Sequence, residues 1–165
     1  MPSVQAIPPP AGTRLQHYAA SGAYADCYAA TIAGEVSLAA FMAAFYTTPI
    51  FKLERWLLAR FLHVPSTDRE AQLLAQGSLT RFSAWTVEHR ESHQATLAAG
   101  RTRSWLMVAS GPAGTKTTTL FFGSAIVPYE RGRLGWQFHA LLRFHKAYSR
   151  ILLAAAIRHR ARDGA

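Results

Sequence analysis

Only one cysteine, Cys27, occurs in the 165 residues, so neither an internal disulfide framework nor an all-cysteine zinc site can form. Acidic side chains are scarce. Nine Asp and Glu stand against eighteen Lys and Arg, a formal net charge of +9. Long apolar runs are missing as well: the longest uncharged stretch, Val36–Phe51, has sixteen residues interrupted by Thr47-Thr48-Pro49, too short to cross a bilayer. The segment from Met1 to Gly12 lacks the basic-then-apolar order of a secretory signal, and its Pro8-Pro9-Pro10 run reads as an extended leader. These absences point to a soluble, cytoplasmic protein.

What is present is ordinary core material. Half of the residues are hydrophobic and only 16% are charged, which excludes disorder and fits one domain with room for an internal pocket. The charge is uneven. Residues 1–100 carry equal numbers of acids and bases, whereas residues 101–165 hold eleven Lys and Arg against two acids. Such asymmetry fits either contact with something anionic (nucleic acid, a phospholipid headgroup of a membrane surface or an acidic partner) or a solvated helix face with a basic tail.

The chain's local signals follow one another clearly. Tyr24, Tyr28, Thr31 and Ile32 favour a strand over 23–33, ended by Gly34. Ser37 is placed to cap a helix through Phe41, Met42, Phe45 and Tyr46, which must stop before Pro49. Pro49, capped by Thr48, opens a second helix over 49–62, so that two short helices form a bent pair. Thr67 and Glu70 make a capping box for a third helix ending at Gly77. Thr, Val, Trp and Phe then dominate 81–89, 94–99, 104–110 and 117–127, with turns at Gly100-Arg101-Thr102 and Gly111-Pro112-Ala113-Gly114. Short strands at this spacing read as an antiparallel meander. Last comes an amphipathic helix: at 100° per residue Phe138, Leu141, His145, Tyr148 and Leu152 lie within about 40° of Leu134. Arg143 and Arg150 fall opposite, and Arg158, His159, Arg160 and Arg162 suit the helix C-terminus.

The order strand, bent helix pair, meander and long C-terminal helix resembles the helix-grip fold of the birch-pollen-allergen and START-like superfamily. Three stretches are similar to an uncharacterised bacterial family of that type: Tyr24-Ala25-Asp26-Cys27-Tyr28, Trp56-Leu57-Leu58-Ala59-Arg60, and Phe144-His145-Lys146 with Arg150. The resemblance covers about residues 20–157. It implies an α+β fold in which a curved antiparallel sheet wraps around a long C-terminal helix. The domain then spans 15–160, preceded by a leader over 1–14 and followed by a basic tail over 161–165. It also implies a cavity for an apolar small molecule, lipid-like or polyketide-like, and in some members cyclase, dehydratase or hydrolase chemistry.

Candidate residues follow from the pattern. His145 sits in the apolar stripe of the last helix, where burial would keep the imidazole neutral and able to act as a base; a structural histidine is the plainer alternative. Asp26, between Tyr24 and Tyr28, could orient His145 if its face is inward, and otherwise meets solvent or an arginine. Trp85, Trp105, Met107, Phe121, Phe138, Leu141 and Tyr148 are expected to line the cavity, although each could equally be core. His89 and His93 have the spacing of a helical metal pair but fall in strand and turn sequence, with no third ligand nearby. Gly111 to Thr117 fails as a phosphate loop because Thr115 separates Gly114 from Lys116 and a strand follows. No cofactor or metal is called for. Nucleic acid is disfavoured, because the bases group on a helix back and tail while the aromatics alternate through core.

Overall fold

The computed structural model describes residues 3–128 and 148–159. Its elements run β1 (Gln5–Ala6), α1 (Arg14–Ala20), β2 (Tyr24–Ala33), α2 (Leu38–Tyr46), α3 (Pro49–Leu62) and α4 (Asp68–Gln76). β3 (Arg81–Phe82), β4 (Trp85–Arg90), β5 (Gln94–Ala99), β6 (Thr102–Ser110), β7 (Thr117–Ile126) and a C-terminal helix, α5 (148–159), follow. The strands form one antiparallel sheet in the order β1-β2-β7-β6-β5-β4-β3. The fold is therefore α+β. Most of the long helix expected over 134–152, including His145, Phe138 and Leu141, lies outside the described residues.

The caps behave as their chemistry requires. Ser37 Oγ accepts from the Ala40 amide at 3.2 Å. Thr48 Oγ1 accepts from the Phe51 amide at 3.2 Å while donating to the Phe45 carbonyl at 3.0 Å, so one hydroxyl ends α2 and starts α3. Thr67 and Glu70 exchange the two bonds of a capping box, and Gly77 closes α4 at a φ of 84°, a conformation glycine adopts at little cost. Arg90 then donates to the Leu74 carbonyl at 2.9 Å and to that of Ala75, satisfying acceptors the last turn leaves open.

Three features depart from the sequence reading. The leader is extended, but it belongs to the domain: Gln5 and Ala6 pair with Ala29 and Tyr28, and the Ile7 amide donates to the Cys27 carbonyl at 3.0 Å. The free rim of β2 offers backbone groups that an extended segment can satisfy. Helix α1, capped by Thr13, had no counterpart in that reading. The single strand expected over 81–89 is two, folded at Ser83 and Ala84 with Phe82 opposite Trp85. Ser83 takes a φ of 51° and its hydroxyl donates to the Val64 carbonyl at 3.1 Å, so a tight turn forms without glycine.

The pleat sorts side chains into two cores. Even-numbered residues of β2, β6 and β7, such as Tyr28, Leu106 and Phe122, meet α2–α5 in the larger core. Odd-numbered ones, Cys27, Trp105, Met107 and Ala125, meet Leu15 of α1 in the smaller. Burial, and then the neighbouring Asp26 charge, pushes the Cys27 thiol up to about 12, so it is no nucleophile at neutral pH. The pair α3–α4 is tied by buried Arg55. Its guanidinium donates to Ser66 Oγ at 2.9 Å, the Ser66 carbonyl at 2.7 Å and Asp68 Oδ1 at 2.8 Å, and lies 5.4 Å from the Phe82 ring centroid.

Two predictions follow from this packing. At Gly123 a Cβ would lie 2.3 Å from Leu15 Cδ2 and 2.8 Å from the Asp26 carbonyl oxygen, and the latter is backbone. Gly123→Ala should lower stability by about 1–3 kcal/mol, read as a lower urea midpoint. At Asp68, burial alone would raise the carboxyl, but hydrogen bonds and charge from Lys52 and Arg55 outweigh it and hold it below its ordinary 3.8. That stabilisation is complete above 3.8 and disappears as pH falls through the depressed native value. Wild type and Asp68→Asn should differ in urea midpoint at neutral pH and converge in acid.

Candidate functional site

A cavity of about 470 Å³ lies where α2, α3 and α5 face the sheet. Phe45, Phe51 and Leu58 wall it from α2 and α3; Trp85, Phe122 and Ile126 wall it from the strands. Leu152 adds an apolar group from α5, whose Leu153, Ala156 and Ile157 are buried in the larger core. The size and the apolar walls are those of a small-molecule site, for which roughly 300–1,000 Å³ is usual.

Polar groups interrupt this wall at a few points. The Tyr148 hydroxyl of α5 donates to Glu54 Oε2 of α3, joining the two helices across the cavity lining. Burial raises the Glu54 carboxyl above its ordinary value, and the bond from Tyr148 opposes that rise. Burial, followed by the nearby Glu54 charge, pushes the Tyr148 hydroxyl far up, so it remains a donor. Ser149 Oγ, also in the lining, is buried and finds no hydrogen-bond partner among the described residues, and the same holds for the Tyr46 hydroxyl. On the sheet wall stand Ser104 and Ser124. An apolar chamber holding a half-buried acid, a tyrosine donor and a hydroxyl with no partner among the described residues can orient a molecule that carries one polar group.

The expected site residues separate by face. Trp85 and Tyr148 line the cavity. Trp105, Met107 and Phe121 do not: they lie on the opposite face of the sheet, beneath α1. Trp105 is fully buried there and donates through Nε1 to Gln94 Oε1 at 2.9 Å, so its polar edge is already used. The pleat is the cause, since residues 105 and 107 alternate with the inward-facing Ser104 and Leu106. Phe138, Leu141 and His145 fall outside the described residues, so the pairing of His145 with Asp26 does too.

Asp26 faces inward, on the cavity side of the sheet. It is buried, and its Oδ1 accepts from Ser124 Oγ at 2.8 Å and from the Ser124 amide at 3.3 Å. Tyr24 donates to its other oxygen at 3.3 Å. Asp26 is thus buried one hydrogen bond behind the cavity wall. His89 and His93 both approach Glu91, at 2.6 and 3.6 Å, in the turn between β4 and β5. Among the described residues no group of three or more His, Cys, Asp or Glu could hold a metal ion.

Sequence reasoning missed Glu54. The available signal was its spacing: Phe51, Glu54, Arg55 and Leu58 follow the i, i+3, i+4, i+7 pattern of an inward stripe. A carboxyl whose native value is raised binds its proton more tightly when folded. Between the ordinary 4.5 and that native value, stability must therefore fall as pH rises. Glu54→Gln should abolish this component of the pH dependence in urea titrations run below 4.5 and at neutral pH. Tyr148→Phe should raise the Glu54 midpoint further, as read by NMR on carboxyl-labelled glutamate.

Among the described residues no helix is long and apolar enough to cross a membrane. Comparison of the chain with protein-family models, with curated proteins and with solved structures finds no match.

Proposed function

We propose that this protein binds an apolar small molecule, lipid-like or polyketide-like, in the cavity between the sheet and the C-terminal helix. The observation that carries this reading is the 470 Å³ chamber itself, apolar in most of its lining yet holding Glu54, Tyr148 and a Ser149 hydroxyl that has no partner among the described residues. Buried polar groups are normally satisfied, and a ligand hydroxyl or carbonyl would satisfy that of Ser149. The element order, with a helix pair after the first long strand and α5 on the larger core, supports a helix-grip arrangement. The lone buried thiol of Cys27 suits a reducing compartment such as the cytoplasm.

A second reading, an acid/base enzyme on the same scaffold, is favoured by the raised Glu54 carboxyl beside a protonated tyrosine. Cyclisation, dehydration or hydrolysis of an apolar substrate would need such a group. His145 as base and Asp26 as its orienter remain part of that proposal.

Native mass spectrometry of the freshly purified protein, followed by denaturing extraction, tests the binding reading. An apolar compound should be retained by wild type and lost from Ser104→Trp, which fills the chamber from the sheet wall. Retention by both proteins, or by neither when lipids are supplied, would refute it. Should a compound be found, Glu54→Gln separates the two readings: a carrier keeps its ligand unchanged, whereas an enzyme loses turnover.

A further inference from the structure

Helix α3 has a second face. Opposite Phe51 and Arg55, the side chains of Leu53, Trp56, Leu57 and Phe61 point to solvent, with Trp56 62% and Phe61 69% exposed. Their spacing, i, i+3, i+4 and i+8, makes one continuous stripe along the helix. Lone exposed apolar residues are common, but a stripe of this kind with an exposed tryptophan and phenylalanine marks an interaction surface.

The charges beside the stripe indicate what it meets. Arg60 is the exposed cation of α3 on this side, whereas Lys52, also exposed, is paired with Asp68. The helix's one acid, Glu54, stands at the border of the inner face and is engaged by Tyr148. The outward surface is thus apolar and aromatic, with the exposed Arg60 lying between Trp56 and Leu57 on the same face. An anionic bilayer suits both features: the aromatic groups enter the headgroup and acyl boundary while Arg60 reaches a lipid phosphate.

We infer that the outer face of α3 docks the protein on anionic phospholipid membranes, with Trp56 and Phe61 inserted and Arg60 at the phosphates. This surface differs from the basic C-terminal region to which the charge asymmetry of the sequence draws attention. It does not depend on what the cavity holds, although the same helix supplies Phe51, Glu54 and Leu58 to the cavity wall.

Co-sedimentation of the full chain with vesicles tests it, comparing phosphatidylcholine alone with equal parts phosphatidylcholine and phosphatidylglycerol. The protein should bind the anionic vesicles, with a blue shift of tryptophan emission that Trp56→Phe diminishes while preserving binding. Trp56→Glu combined with Phe61→Glu should weaken partitioning on the order of tenfold or more, with circular dichroism unchanged because both side chains are exposed. Arg60→Gln should weaken binding to the anionic vesicles by a smaller factor and leave the fold intact. Absence of vesicle binding overturns the inference. So does equal binding by the double glutamate variant, which would place the contact in the basic C-terminal region. A wild-type dimer that the double variant dissociates, with no vesicle binding, would assign the face to a second copy.

Discussion

The ladder between β2 and β7 is the constraint on which the remaining structure depends. Ten residue pairs, from Tyr24 opposite Ile126 to Ala33 opposite Thr117, join the first long strand to the last. Every helix between them must be accommodated in the loop that this closure makes. The pairing also fixes parity. Once Asp26 lies opposite Ser124 and Cys27 opposite Gly123, even positions of both strands share one face and odd positions the other. The cavity, the α1 contact and the buried Asp26–Ser124 bond all follow from that register. Gly123 marks how little room remains, since Leu15, the Asp26 backbone and Trp105 converge on it.

The helices α2, α3 and α4 were legible because their boundaries are made by neighbouring residues. Ser37, Thr48 with Pro49, and Thr67 with Glu70 and Gly77 each act within one turn of the chain. The assignment of strand residues to faces was less legible. Both sides of the sheet are covered, so β7 reads Leu120, Phe121 and Phe122 without the polar alternation that would identify an exposed face. With α1 unanticipated, Trp105, Met107 and Phe121 were assigned to the one cover expected. Their real partner is Leu15, far earlier in the chain. Glu54 was obscure for a similar reason. Its environment is made by Tyr148, ninety-four residues away, and nothing in the local sequence announces that contact.

Helix α3 concentrates the molecule's compromises. One flank is anchored through Arg55, whose burial is tolerable because Ser66 and Asp68 satisfy its guanidinium. Another flank carries Glu54 into the cavity lining, where desolvation and the tyrosine bond act in opposite directions. The third leaves Trp56 and Phe61 in water. A helix formed only for stability would not hold an acid inside and aromatic rings outside. This inversion is a departure from simple patterning of the sort that function commonly requires.

The two rims of the sheet carry a further consequence. β1 and β3, the outermost strands, are each two residues long. A long bare rim would template another chain through its unpaired amides and carbonyls, the geometry from which fibrils grow. β1 and the Ile7 amide occupy the middle of the ten-residue β2 rim, at Cys27, Tyr28 and Ala29, and so interrupt the run of free groups that such growth would need. An open seven-stranded sheet can in this way remain finite without closing into a barrel.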